Sequence, residues 1–405
     1  MSEYLLKDIT ELIVDCPHST ANDEGKGYPL VRTPNIGKGR LVYQGMHRVS
    51  EEVYNKRNQR AVPQEDDLIF AREATAGNVA LIQKGEKVCL GQRTVLIRPN
   101  KSLVDPAYLT YLLLAPKQQY NLLGTANGAT VAHVNLPTIR NLKLELPDLE
   151  VQHRIATILS RYDSLIENYR KQIKLLEEAA QRLYKEWFVD LRFPGYENSK
   201  MVDGLPEGWE RKKLGEVCEV NKTSIAKNYA YNYVNYNDLG NVREGSIQEP
   251  VRYVYGQEPG RAKRVAKDGD VIWGMVRPNL KSYALVQNPK PQDVYSTGFA
   301  VLSSKAVPFS FLYCAVITDD FVGYLVNCTN GAAYPAVKAV HFENAVLLVP
   351  SRSLLDEFSK FAELLFRKCG KLSSQIRLLT EARDRLLPRL MGGEMDVKNN
   401  IRERK

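Results

Sequence analysis

Arginine, lysine and asparagine residues recur where the sequence predicts strand ends and loops, and these residue types can read DNA bases. Arg or Lys can bind guanine O6 and N7, and Asn can bridge adenine N6 and N7. Each residue taken alone is more often a solvated loop residue, and the tyrosines from Tyr229 to Tyr236 are more often a strand packed on a core than a stacking surface. The candidates for base contact are Arg32, Asn35, Arg72, Asn78, Arg93, Asn235, Asn237, Arg243, Arg277, Asn279 and Lys281.

Motifs for catalysis, nucleotide binding and metal binding are absent from the sequence. There is no G-x-x-x-x-G-K-[ST] loop, no G-x-G-x-x-G after a predicted strand and no H-E-x-x-H. The histidines lack metal-ligand spacing, and the six cysteines contain no C-x-x-C pair, which favours reduced, buried thiols. Asp148 after Pro147 suits a helix N-cap better than a nuclease motif. We therefore expect no catalytic residue, no metal site and no cofactor bound by this chain.

The net charge of +9 favours a polyanionic partner, and more than half of it lies in residues 352–405. The other segments are only weakly basic, so the charge also fits an alkaline protein that binds no nucleic acid. No apolar run reaches the roughly eighteen residues of a membrane span, and the N-terminus lacks the regions of a signal peptide. We expect a cytoplasmic protein without membrane contact.

The sequence repeats itself at an offset of about two hundred residues, which predicts a duplicated architecture. "VRTPNIG" from Val31 resembles "VNYNDLG" from Val234, and "DLIFAREATAGNVALIQ" from Asp67 resembles "DVIWGMVRPNLKSYALVQ" from Asp270. "NGATVAHVNLPTIRNLKLELP" from Asn127 aligns without a gap to "NGAAYPAVKAVHFENAVLLVP" from Asn330, and each block opens with an Asn-Gly turn signal.

Each repeat ends in a long apolar stripe with helical spacing, one after Pro147 and one after Pro350. Roughly forty helical residues make a rod of about 60 Å. Such a stripe needs a partner, and we expect the two rods to pair, although ordinary long core helices in a bundle also fit the pattern. The second stripe runs from Leu354 through Phe361 to Leu390. The residues predicted to pack between the rods are Ile155, Leu159, Ile166, Ile173, Leu183, Trp187, Phe358, Leu365, Leu372, Leu379 and Leu386.

These patterns predict an α+β fold in which two mixed α/β domains alternate with two long helices, related by an internal pseudo-two-fold repeat. Runs such as "QRTVLIRP" and "VIWGMV" favour strands, and "DPAYLTYLLLAPKQQYNLL" favours helix. "EWFVDLRFPG" closes the first repeat, and "DGLPEGWERKKLGEV" opens the second. The predicted domains are residues 1–148, a helical spacer 149–193, residues 194–351, and a second helical segment with its tail, 352–405.

The order of these segments resembles the specificity subunits of type I restriction-modification enzymes. The resemblance covers nearly the whole chain and depends on the helix "LPDLEVQHRIATILSRYDSLIENYRKQIKLLEEAAQRLYKEWFVD", the restart "DGLPEGWERKKLGEV" and the C-terminal "LLDEFSKFAELLFRKCGKLSSQIRLLTEARDRLLPRLMGGE". Leu354-Leu355-Asp356 stands in the second helix where Gln152 stands in the first, which departs from the family pattern.

The resemblance implies a non-catalytic reader of double-stranded DNA. Its two target recognition domains would each read one half of an asymmetric, bipartite site, and its helices would pair as an antiparallel coiled coil. Two modification subunits would use S-adenosylmethionine to methylate adenine, and two restriction subunits would use ATP and Mg²⁺. A nuclease or methyltransferase with an unrecognised site, and a helical-hairpin scaffold without a DNA role, are alternatives. The sequence does not reveal which bases are read.

Overall fold

The computed structural model describes residues 2–124, 133–226, 228–329, 335–395 and 397. The chain divides into two units: Met1–Glu167 with Arg377–Lys405 form unit 1, and Asn168–Ile376 form unit 2. Each unit contains one globular segment and a part of each long helix, whereas the domain boundaries predicted from sequence follow the ends of the helices. The Asn-Gly turns predicted at Asn127 and Asn330 lie outside the described residues.

Unit 1 is a mixed α/β body with a four-stranded antiparallel sheet, β2-β8-β5-β6, a three-stranded sheet, β4-β3-β7, and the pair β1-β9. Its helices are α1 (Glu51–Arg57), α2 (Pro106–Leu114), α3 (Pro116–Leu123), α4 (Leu136–Arg140) and α5 (Leu149–Tyr184), the last of which continues into unit 2. The strands are β1 (Ser2–Leu5), β2 (Thr10–Asp15), β3 (Tyr28–Val31), β4 (His47–Val49), β5 (Leu68–Ala71), β6 (Val79–Leu81), β7 (Cys89–Leu90), β8 (Thr94–Pro99) and β9 (Lys143–Leu146).

Strand β5 is buried on both faces and anchors the loop that follows it. Successive side chains of a strand point to opposite faces, so Leu68 and Phe70 join the core that contains α2, whereas Ile69 and Ala71 join the core between the two sheets. Because both faces are packed, the end of β5 is fixed, and the polar residues after Ala71 start from a rigid base.

Unit 2 repeats this plan with a small hairpin inserted and one strand added. Its helices are α6 (Leu214–Val217), α7 (Phe309–Val316), α8 (Asp319–Asn327), α9 (Ala339–Asn344) and α10 (Arg352–Met391), the last of which continues into unit 1. Its strands are β10 (Met201–Val202), β11 (Leu205–Pro206), β12 (Glu210–Lys213), β13 (Cys218–Val220), β14 (Tyr233–Asn237), β15 (Val242–Arg243), β16 (Ser246–Ile247), β17 (Val251–Val254), β18 (Ala262–Arg264), β19 (Val271–Gly274), β20 (Tyr283–Leu285), β21 (Asp293–Ser296), β22 (Phe299–Ser304) and β23 (Val346–Val349).

The sheet orders confirm the internal repeat. The order β13-β22-β19-β20 in unit 2 corresponds to β2-β8-β5-β6 in unit 1, and β12-β23 corresponds to β1-β9. The sheet β17-β14-β21-β18 corresponds to β4-β3-β7 with β18 added at one side. Asp67 and Asp270 are equivalent in detail, because each carboxylate accepts a hydrogen bond from the backbone N–H three residues earlier, at 2.9 and 2.8 Å.

The sequence match of Val31 with Val234 is wrong by three residues. Asn35 accepts from the N–H of Arg32 and donates to Val42 O at 3.1 Å, and Asn241 makes the same two bonds, to Asp238 N and to Glu249 O at 2.9 Å. The structural equivalent of Asn35 is therefore Asn241. These loops carry little apolar pattern, so the sequence alone did not reveal that the alignment is shifted by three residues.

The two long helices pair in an antiparallel arrangement within each unit. In unit 1, α5 contributes Ile155 and Leu159 to a core with Leu390, and Asp163 pairs with Arg383 at 2.5 Å. In unit 2, Cys369 Sγ lies 3.8 Å from Ile173 O. There Tyr184, Trp187 and Phe188 surround Phe358, with ring centroids 5.0 to 6.2 Å from it.

The predicted packing residues differ in how deeply they are buried. One predicted member of the stripe was wrong: Phe361 is 54% exposed, and α10 instead turns Ala362 and Phe366 into the core. Ile155, Leu159, Ile166, Trp187, Phe358 and Leu372 are buried, whereas Ile173, Leu183, Leu365, Leu379 and Leu386 are half-buried.

Candidate nucleic-acid interface

The loop between β19 and β20 holds exposed polar side chains on a strained backbone. Arg277 and Lys281 flank a 3-10 helix, Pro278–Leu280, and both have left-handed φ values, 48° and 52°. Such a conformation costs a non-glycine residue roughly 1 kcal/mol or more. The N–H of Arg277 donates to Pro335 O at 2.8 Å, which holds the start of the loop. The Arg277 and Asn279 side chains are exposed at its tip.

The hairpin β15–β16 lies beside this loop and adds a further cation. Gly245 N donates to Tyr283 O at 2.9 Å, and Lys281 Nζ lies 3.8 Å from Glu244 and 2.8 Å from Asp319. The hydrogen bond to Asp319 raises the pKa of Lys281, so its ammonium stays charged. Arg243, on the same hairpin, is exposed. The structure thus brings together four of the predicted residues, the reading surface of unit 2: Arg243, Arg277, Asn279 and Lys281.

Asn235 and Asn237 do not belong to this surface, because both are buried in β14. Asn235 is 5% exposed and donates from Nδ2 to Asp293 at 2.9 Å. Asn237 is 2% exposed, and among the described residues its Oδ1 has no hydrogen-bond partner. The structure therefore does not present either amide to a duplex, and their predicted base contact gains no support.

In unit 1, Arg72 and Arg93 belong to one continuous polar network. Arg72 is buried and bonds Asp15 at 2.8 Å, Val134 O at 3.0 Å and His133 at 3.1 Å. His133 bonds Glu73 at 2.6 Å, and Glu73 in turn pairs with Arg93 at 2.6 Å. Arg72 is thus occupied within the fold, whereas the Arg93 side chain is half exposed.

The other unit 1 candidates stabilise loops. Asn35 is 1% exposed, and both polar groups of its amide bond the backbone. Asn78 Nδ2 donates to Ile36 O at 2.9 Å, and Arg32 Nη2 donates to Gly45 O at 3.0 Å from a half-buried position. Of the predicted unit 1 residues, Arg93 is therefore the best placed to meet a ligand.

The loop after β5 and the loop after β19 share a backbone frame at their two ends but carry different side chains. The second loop is one residue longer and contains the 3-10 helix Pro278–Leu280. Val134 N donates to Arg72 O at 3.0 Å, and Val337 N donates to Met275 O at 2.8 Å at the equivalent position. The left-handed residues also correspond, Ala74 with Arg277 and Gly77 with Lys281, because each lies at the same place in its loop. At equivalent positions, the loop of unit 1 therefore carries Ala74, which follows Glu73, and the loop of unit 2 carries Arg277.

Residues 2–178 match the family described as the type I restriction modification DNA specificity domain. The chain is 26% identical to the type I restriction enzyme MjaIX specificity subunit of Methanocaldococcus jannaschii, over 97% of this chain and 93% of that protein. It is also 26% identical to the MjaVIII specificity subunit of the same organism, over 95% of this chain and 90% of that protein. The chain is therefore similar, over nearly its whole length, to type I specificity subunits.

The fold of this chain agrees with that of a solved type I S subunit. A crystal structure of the type I restriction-modification system S subunit from M. genitalium superposes with a TM-score of 0.53 at 15% identity, covering 96% of this chain and 95% of that one. This likeness concerns the architecture, and it confirms the predicted α+β fold with two long helices.

The described part of the chain contains no cluster of three or more His, Cys, Asp or Glu side chains that could hold a metal ion. Within the same residues, no single helix is long and apolar enough to cross a membrane, although the bent pair α7 and α8 reaches that length and composition jointly.

Sequence reasoning missed three residues of the unit 1 network, Asp15, Glu73 and His133. They are far apart in sequence and carry no local motif, so their association depends on the tertiary fold. The repeat offered one signal, because Glu73 and His133 lie in blocks that recur in the second half of the chain.

Proposed function

We propose that this chain is a type I specificity subunit and reads a bipartite, asymmetric site in double-stranded DNA, one half-site with the globular segment of each unit. The observation that carries the proposal is the shared loop frame with different side chains. The two loops start from equivalent strands, but unit 2 carries Arg277, Asn279 and the Lys281–Asp319 pair there, whereas unit 1 carries the Glu73–Arg93 pair. Two different surfaces on one repeated frame select two different base sequences.

The subunit assembles with two modification subunits and two restriction subunits. In that assembly S-adenosylmethionine serves methylation of adenine N6, and ATP with Mg²⁺ serves translocation and cleavage, all within the partner subunits. Adenine methylation requires the base to leave the stack, so the task of this chain is to hold the register on the duplex meanwhile. The family resemblance supports these assignments, and a bacterial or archaeal cytoplasm is the compartment that they imply.

The experiment separates reading from catalysis. Purified chain is incubated with duplex DNA, Mg²⁺, ATP and S-adenosylmethionine, first alone and then with the modification subunits. We expect neither methyl transfer nor cleavage by the chain alone, and sequence-specific retardation of DNA once the modification subunits are added. Methyl transfer or cleavage by the chain alone would instead support the alternative of an enzyme. Absence of DNA binding in the assembly would support the scaffold alternative.

A further inference from the structure

Strand β17 forms an open edge of the sheet β17-β14-β21-β18. The opposite edge, β18, is covered by the preceding loop, since Ile225 N donates to Lys263 O at 2.9 Å and Val265 N donates to Thr223 O at 3.2 Å. On the β17 side, Asn235 stands opposite Arg252 and donates its N–H to Gln292 O, away from β17. In an antiparallel ladder Arg252 therefore directs its own N–H and C=O outward.

Nothing within the described ranges occupies these outward groups. The structure gives no hydrogen bond from any described residue to the outward N–H or C=O of Arg252, nor to the N–H of Val254, which points the same way two residues later. An exposed edge of this kind is a template for pairing with another extended segment.

The equivalent strand of unit 1 shows what such an edge accepts. Arg48, the counterpart of Arg252, donates its N–H to Asp23 Oδ1 at 2.9 Å and accepts from Glu24 N at 2.8 Å. Its Nη1 also donates to Gly27 O at 2.8 Å. The Glu24 carboxylate also accepts from Ser50 N at 3.0 Å, two residues further along the same edge. A short acidic segment, bent at Gly25 with a φ of 70°, therefore covers the outer edge of β4 through Asp23 and Glu24.

Unit 2 lacks this cover because its loop is used elsewhere. The connection from β2 to β3, residues 16–27, is as long as the connection from β13 to β14, residues 221–232. In unit 2 that connection pairs with the added strand β18 through Thr223 and Ile225. It reaches the end of β17 where Tyr229 stacks on Tyr255, with ring centroids 4.7 Å apart, but its described residues form no hydrogen bond with the outward groups of Arg252 or Val254.

The open edge combines apolar area with one cation. Val251 and Val254 are 47% and 58% exposed, and Tyr255 beside them is 38% exposed. The Arg252 guanidinium lies 4.3 Å above the centre of the Tyr233 ring, which holds it over the outer face of the sheet. No carboxylate within the described residues forms an ion pair with Arg252.

We propose that the open edge of β17 receives an acidic peptide segment of a partner protein, in the way that Asp23 and Glu24 cover β4. Backbone groups of the segment pair with Arg252 and Val254, a carboxylate binds at Arg252, and apolar side chains cover Val251 and Tyr255. This interaction surface is separate from the reading surface of unit 2 and does not depend on the proposed function.

The test uses the chain's own covering segment as the probe. A fluorescent peptide of residues 19–28 is titrated against the full-length chain, and its anisotropy is recorded. We expect saturable binding with a Kd below about 1 mM, weakened at least about tenfold by Arg252→Glu and by Val254→Pro. Proline at 254 removes an outward N–H and leaves the bonds to β14, so the sheet is retained. Lys263→Glu, on the covered edge β18, is the matched control and should bind normally.

Two further measurements test whether the variants are folded and whether the peptide binds at β17. Thermal unfolding of each variant checks the fold, and amide exchange at Arg252 and Val254 in the unaltered chain should slow when the peptide is added. Absence of binding up to about 1 mM, or binding that both variants retain, overturns the proposal. Self-association that Val254→Pro abolishes would assign the edge to a second copy instead. Displacement of the peptide by random duplex DNA would assign it to nucleic acid.

Discussion

At the scale of single residues, the reading surface of unit 2 should control one half-site only. Replacing Arg277 and Asn279 by alanine removes groups of the types that bind base edges, so we expect preference in one half-site to fall by roughly 1 to 3 kcal/mol per lost bidentate contact. The other half-site should be unaffected. Competition binding with duplexes altered in each half measures both effects, and Arg93→Ala in unit 1 serves as the matched variant. Equal loss in both halves would assign these residues to phosphate contact or to the fold.

Asn35 should behave as a structural residue. Its buried amide bonds two backbone groups, so Asn35→Ala leaves them unpaired and should lower the free energy of unfolding by about 1 to 3 kcal/mol. Asn241→Ala, at the equivalent place, is the matched variant. Urea denaturation measures the loss, and duplex competition should show an unchanged order of preferred bases. A changed base preference with unchanged stability would instead support the predicted base contact of Asn35.

Glu177 on α5 should make the stability of unit 2 depend on pH. Burial, followed by the charge of Glu244, raises the pKa of Glu177 to about 7 from 4.5, and a Cβ built on Gly245 would lie 3.3 Å from its Oε2. Because the folded chain holds the Glu177 proton more tightly than the unfolded chain, Glu177 does not lower the free energy of unfolding below about pH 4.5. As the pH rises from there through about 7, the buried carboxyl ionises and the stabilising contribution of the bound proton is lost. Glu177→Gln should therefore be more stable than the unaltered chain at pH 8, by up to roughly 3 kcal/mol, and equal to it near pH 4.5.

Denaturation curves at the two pH values test this expectation. Glu178→Gln, at the half-buried neighbour that forms ion pairs on the helix surface, controls for the general effect of removing a carboxylate. An equal difference at both pH values would contradict the assignment of the raised pKa to Glu177.

At the scale of elements, the sequence predicted what depends on repeated apolar spacing. The long stripes predicted both helices, and α5 and α10 begin at Leu149 and Arg352, close to the proline residues that precede them. The prediction that Phe361 is buried was wrong, because apolar residues also occupy neighbouring turns of α10. Spacing alone does not decide which line of apolar side chains faces the core. The buried state of Asn35 and Asn237 was equally hidden, since polar residues are buried only where tertiary bonds or packing permit.

The paired helices should set the distance between half-sites. Inserting four helix-forming residues into each long helix, after Glu167 and after Ile376, lengthens both by about 6 Å. At about 3.4 Å per base pair, the preferred gap between half-sites should grow by one or two base pairs, while both half-site sequences stay the same. Selection of sites for the variant measures the gap, and conservative substitutions at the same positions serve as the control. A folded variant that keeps the original gap would exclude the helices as the determinant of spacing.

At the scale of the whole molecule, duplication explains why one chain can hold two different readers. The repeated frame fixes equivalent loops, and divergence has changed the side chains on those loops without changing the sheet order. The connecting loop also differs between the units. In unit 1 it contacts the outer edge of β4, whereas in unit 2 it pairs with β18 at the opposite edge of the sheet and β17 stays open. The two units therefore differ in surface chemistry where their strand order is the same, and also where a connecting loop takes a different course.

Selection of bound sites from random duplex DNA, with the chain assembled with its modification subunits, tests the central claim most directly. Two surfaces of different chemistry on one repeated frame predict two dissimilar half-sites separated by a gap of constant length and unspecified sequence. The Arg277→Ala, Asn279→Ala variant should select the same site with one half relaxed. A palindromic site, or one uninterrupted recognition sequence, would contradict the account.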